Sequence, residues 1–176
     1  MLKRLYRVFA RKDGMAAIEF ALLAPVLLFM FLGGIELTDA LICKQKVTGM
    51  AAAAADLIAQ ETQVSNAGMS DVFSAVNSIV YPYPTTGLRI VITSLVDDGH
   101  GNGTVQWSDA QNAAPRSVNS TVAVPSGVIT SGGTVILAEV TYPYTSQIAH
   151  FLTGTTDMTT SFYARPRRSV SIARVP

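Results

Sequence analysis

From residue 15 to residue 37 the chain is apolar, and its only charge before Glu36 is Glu19. Those 23 residues make a helix of about 35 Å at 1.5 Å per residue, enough to cross a hydrocarbon core of about 30 Å. A carboxylate in hydrocarbon costs about 2.5–3.5 kcal/mol on insertion scales, so Glu19 needs a partner. Pro25 lies in the middle of the span, where its missing N–H and its ring predict a kink or local opening. Gly33 and Gly34 offer a second flexible or close-packing point.

The flanks of the run predict its direction. Lys3, Arg4, Arg7, Arg11 and Lys12 precede it, and Glu36 and Asp39 follow. The positive-inside tendency sets the N-terminus in the cytoplasm and the remainder outside. A cleavable secretory signal would have an apolar core of about 7–15 residues ending at a small-x-small site. This run is longer, and Leu37-Thr38-Asp39-Ala40 lacks such a site. An ordinary uncleaved signal anchor is the alternative.

Composition is informative here only through its asymmetry. Of the 176 residues 49% are hydrophobic and the formal charge is +1. Yet residues 15–176 hold eight basic against eleven acidic side chains. The basic character belongs to the short leader, and nucleic-acid binding explains it poorly. The single cysteine, Cys43, allows no internal disulfide. Ile42 stands before it where lipid modification wants a small residue, so Cys43 reads as a packing residue.

Basic residues, Gly14, four residues and then Glu19 at the head of a long apolar helix match the processing signal of type IV prepilins. The stretch Gly-Met-Ala-Ala-Ile-Glu-Phe-Ala-Leu-Leu-Ala-Pro-Val-Leu-Leu resembles more narrowly the TadE/TadG-like minor pilins (pseudopilins) of tight-adherence (Flp) pili. Glu139-Val140-Thr141-Tyr142-Pro143-Tyr144 and Arg165-Pro166-Arg167 are similar to that family's C-terminal pattern. Residues 62–130 carry almost no likeness.

The resemblance implies that a prepilin peptidase cuts between Gly14 and Met15. A residue without Cβ lets the backbone be gripped in extended form. The new α-amine on Met15 would then partner Glu19, in its own chain or a neighbour, and set register between helices. Implied partners are the peptidase, the major Flp pilin, other minor pilins and the inner-membrane assembly platform. Implied roles are pilus assembly, surface attachment and biofilm formation, with no cofactor and no metal. Expected boundaries are a leader over 1–14, a membrane helix over 15–38, its periplasmic continuation over 39–61 and a periplasmic head over 62–176.

The remainder predicts an α+β fold of type IV pilin kind, a long N-terminal helix packed on a small antiparallel sheet. Val47, Met50, Ala54, Leu57 and Ile58 recur at helical spacing and form a face to receive the sheet. Ser70 is the expected N-cap of a second helix, with Val72, Phe73, Val76, Ile79 and Val80 on one side and Tyr81-Pro82 ending it. Strands are expected over 88–96, with Leu88, Ile90 and Ile92 sharing a face, and over 104–107, 135–142 and 158–165. Residues 97–103 read as a turn and 109–133 as mostly loop.

Catalytic chemistry finds little support. Asp97, Asp98 and His100 could offer metal ligands, but no EF-hand spacing or second His/Cys partner accompanies them, and a solvated hairpin turn is the simpler reading. His150 follows an expected strand end without an acidic or nucleophilic neighbour. With no nucleophile elbow, P-loop or zinc pattern, the chain reads as a non-enzyme. Tyr81-Pro82-Tyr83-Pro84 and Tyr142-Pro143-Tyr144 echo one another, either as interface anchors or as tyrosines covering the core beside strand-ending prolines. Arg165, Arg167, Arg168 and Arg174 form a basic tail, solvated or turned toward acidic partners.

Overall fold

The computed structural model describes residues 14–146 and 154–176. The residues before Gly14, expected to form a leader, and His150 lie outside the described residues.

Helix α1, Met15–Ala59, runs unbroken for 45 residues with Pro25 inside it. At 1.5 Å per residue it is about 68 Å long. Its two halves differ in what they bury. Through Ile42 no residue is buried, and an 18-residue window of mean hydropathy 2.3 is wholly uncovered. From Cys43 onward, Cys43, Val47, Met50, Ala51, Ala54, Ala55, Ile58 and Ala59 form one fully buried face. Their spacing of three and four keeps them on one side of a 3.6-residue turn. Leu57, expected on this face, is 37% exposed. It lies about 100° around the helix from Ile58, which is fully buried as expected, and falls just outside the covered face.

After the two-residue strand β1, Gln63–Val64, helix α2 runs over Asn66–Ile79. Its N-cap is Ser65, whose hydroxyl accepts from the Gly68 N–H at 3.1 Å, and not Ser70. Ser65 offers the same chemistry more than a turn earlier, and Ser70 stays exposed within the helix. Val76 and Val80 are buried as expected, with Val72, Phe73 and Ile79 packed against them.

Five strands follow: β2 Arg89–Asp97, β3 Gly103–Gln111, β4 Thr121–Val122, β5 Thr134–Thr145 and β6 Thr155–Ala164. They form an antiparallel sheet in the order β4-β3-β2-β5-β6. Leu88, Ile90 and Ile92 are fully buried on the face toward α1. α1 lies along β5 and β6. Leu95, Val105, Val124, Val135 and Leu137 build a second, smaller core beneath the segment after β3.

β2 has its expected length, shifted by one residue, while β3, β5 and β6 are longer than the sequence predicts, because pairing carries polar residues along. β5 even includes Pro143. Its pairing with β2 ends at Arg89 and Thr141, so Pro143 faces no β2 partner that would need its missing N–H. Gly87 fills that gap with φ +76°, and a Cβ there would meet Pro143 Cγ at 2.9 Å.

A final strand, β7 Ala173–Arg174, pairs parallel with β1. Just before it, Ile172 enters the core and its carbonyl accepts from Trp107 Nε1 at 2.7 Å. The whole is α+β with pilin-like architecture, a long apolar helix laid on a five-stranded antiparallel sheet.

Candidate functional site

Gly14 stands at the start of α1 as its N-cap, with φ −95° and ψ −8°. That backbone is in the α region, not the extended form a gripping peptidase would want, so cutting after Gly14 would require the first turn to open. Met15 is exposed, and Glu19 follows one turn on, also exposed. Among the described residues Glu19 has no ion-pair partner.

Where α1 leaves its bare half, the two Tyr-Pro motifs converge on it. Tyr83 Oη lies 2.7 Å from Asp39 Oδ1 and 3.1 Å from the Asp39 carbonyl. Tyr144 Oη lies 2.9 Å from both Asp39 Oδ2 and Glu36 Oε1. A phenol has one proton to donate, so Tyr144 shares it between two carboxylates. Tyr142 meets the Tyr83 ring edge-on, with centroids 6.3 Å apart. Cys43 lies one turn beyond Asp39 on the same helix face, fully buried.

Tyr142 and Tyr144 are 4% and 7% exposed. Of the two readings of the sequence, the structure has these two rings covering the core, between sheet and helix. Tyr81, the remaining aromatic of the first motif, is 78% exposed.

The electrostatics follow from burial beside carboxylates. Burial, then hydrogen bonds to Glu36 and Asp39, push the Tyr144 phenol well above its usual range, and burial with the Asp39 bond does the same for Tyr83. Burial and then Asp39 push the Cys43 thiol up to about 11, against a smaller opposing pull from Lys46. A thiol held protonated is a packing group, not a nucleophile. The cluster fastens the head to the helix through hydroxyl–carboxylate bonds.

The basic tail is fastened as well. Arg165 donates to the carbonyls of Gly127 and Val128 at 3.0–3.2 Å. Arg167 pairs with Asp56, and its backbone N–H donates to the Ala59 carbonyl at 2.9 Å. Arg174 reaches Asp109 at 2.8 Å and the Asn66 side chain at 2.5 Å. Arg168 is exposed and has no partner among the described residues.

In the 97–103 turn the acids serve their own backbone. Asp98 Oδ1 accepts from the N–H groups of His100 and Asn102 at 2.7 and 3.1 Å, and Asp97 Oδ2 accepts from Gly132 at 2.9 Å. Among the described residues no group of three His, Cys, Asp or Glu is placed to hold a metal ion.

Sequence reading missed the convergence on Asp39. The repeated Tyr-Pro motif was its only local signal.

One comparison bears on the first half of this site, where a bare apolar helix opens at Gly14 and carries Glu19, Pro25, Glu36 and Asp39. Over residues 14–56 the chain matches the TadE-like protein family. No curated protein and no solved structure matches it. The TadE-like segment begins at Gly14 and takes in both halves of α1 as far as Asp56, the partner of Arg167. The sheet that the helix carries lies beyond it.

Proposed function

We propose that this chain is a minor pilin of a tight-adherence pilus, structural and not catalytic, cleaved between Gly14 and Met15 and built into or at the base of the fibre. The observation that carries the reading is the TadE-like match over residues 14–56, which takes in the whole uncovered apolar half of α1, Glu19 included, and most of the half that carries the head. In this reading residues 1–14 are the leader, 15–38 the membrane helix, 39–61 its periplasmic continuation and 62–176 the head. The helix crosses the inner membrane with its N-terminus in the cytoplasm. Cleavage frees an α-amine on Met15 that pairs with Glu19 of the same or a neighbouring chain. The apolar half then packs against helices of the major and other minor pilins on the assembly platform, with Pro25 giving the span local freedom. The outcome for the cell is surface attachment and biofilm growth.

Intact mass of the membrane-extracted protein tests this. Cells with a working prepilin peptidase should yield a chain beginning at Met15, and cells without it the full chain. A full chain from both would leave an uncleaved, signal-anchored periplasmic module in its place. Deleting the gene separates roles further: absent fibres mean assembly, and normal fibres with lost attachment mean adhesion.

A further inference from the structure

Glu36 and Asp39 look in sequence like the end of the apolar span, but both turn toward the head, where tyrosine hydroxyls donate to them. The opposite side of α1 does not become polar there. Leu37, Leu41 and Ile42 are 62%, 55% and 44% exposed. Thr38, among them, returns its hydroxyl to the Gly34 carbonyl at 2.8 Å, which satisfies it without water. Polar side chains begin only at Lys44, Gln45 and Lys46. Glu19 apart, the exposed apolar surface therefore runs from Met15 to Ile42, about 42 Å of helix at 1.5 Å per residue.

That length exceeds a hydrocarbon core of about 30 Å but matches the roughly 40–45 Å of a bilayer with its headgroup layers. A mean tilt of about 20° shortens the span by only a few ångströms. Tyr81 stands exposed close by, two residues after Ile79, whose carbonyl takes the Lys46 amine at 3.3 Å. Exposed tyrosine is the side chain suited to the bilayer interface, with an apolar ring and a polar tip.

We infer that the head is seated on the bilayer itself, with Leu37, Leu41 and Ile42 contacting lipid and the base of the head within the headgroup layer. The occupant of this face is lipid, because the face continues the uncovered span without a break. The tyrosines on Glu36 and Asp39 are what makes the seat tolerable: carboxylates at that depth must be hydrogen-bonded within the protein. The inference rests on reading α1 as a membrane anchor.

Nitroxide labels on single cysteines introduced at Phe29, Leu41, Ile42 and Thr48 test it, in the full chain in phosphatidylethanolamine–phosphatidylglycerol vesicles. Cys43 is fully buried, so the parent chain should take up no label and serves as the control. Collision with oxygen, which partitions into lipid, is compared with collision with an aqueous nickel chelate. The ratio should be high at Phe29, several-fold higher at Leu41 and Ile42 than at Thr48, and reversed at Thr48. If Leu41 and Ile42 read as aqueous while Phe29 reads deep, the seat is wrong and the anchor stands. Shielding of both sites from both reagents would mean another protein chain covers the face and would overturn the lipid assignment. An aqueous reading at Phe29 would remove the anchor, and the seat with it.

Discussion

At Asp39 one carboxylate receives hydroxyls from two segments distant in sequence, so its loss takes an acceptor from both phenols at once, leaving Tyr144 with Glu36 and Tyr83 with the backbone carbonyl of residue 39. Tyr144→Phe should cost about 1–2 kcal/mol, and Asp39→Ala about 2–3, because two hydrogen bonds to one charged acceptor are lost together. Thermal unfolding of the detergent-solubilised chain, followed by Trp107 fluorescence, checks both. The tail arginines offer a contrast. Arg174→Ala should cost about 1–2 kcal/mol through its bonds to Asp109 and Asn66, and Arg168→Ala less than about 0.5. The pH response follows from the same cluster. Cys43, Tyr83 and Tyr144 all have raised folded values, so above their unfolded values the unfolded chain has released protons that the folded chain still holds. Stability must then fall as pH rises, from about pH 9 for the thiol and about pH 10 for the phenols. Melting across pH 7–11 should show that fall, shallower in Tyr144→Phe; equal slopes would contradict the cluster's role.

The elements differ in how plainly they announce themselves. The buried face of α1 is visible as spacing, since Val47, Met50, Ala54 and Ile58 repeat with the helical period. β2 is visible too, with Leu88, Ile90 and Ile92 alternating. β1 and β7 are invisible, because two residues carry no period, and what joins them is the path of a chain end. Yet the residue just before β7 ties the chain to the core: Ile172 fills core space and Trp107 donates to its carbonyl. Truncation after Ser171 should therefore cost at least about 2 kcal/mol and shift Trp107 emission to the red, which fluorescence during urea unfolding would show. Unchanged emission would mean that the tail is dispensable.

Taken as a whole, the molecule separates a bare apolar half from a head whose core is closed within one chain. A fragment from Glu36 onward keeps the Tyr–carboxylate cluster while losing most of the uncovered surface. It should fold as a soluble species, checked by light scattering and by the Trp107 transition; aggregation would show that the head depends on the span. In the full chain, Glu19→Ala should leave insertion and processing intact but reduce incorporation into fibres several-fold, read by immunoblot of sheared pili. Normal incorporation would remove the assembly role from that carboxylate.

From the residues alone came the apolar span, its lone acid, the candidate processing site and the α+β outline. These rest on local quantities, run length, charge position and period, that need no knowledge of what lies opposite. Only the tertiary structure decided where Glu36, Asp39 and the tyrosines point, that Arg165, Arg167 and Arg174 are fastened down, and that Leu57 falls outside the buried face. Those outcomes depend on which surfaces meet when the sheet closes on the helix, and that pairing joins residues too far apart in the chain for any local pattern to record.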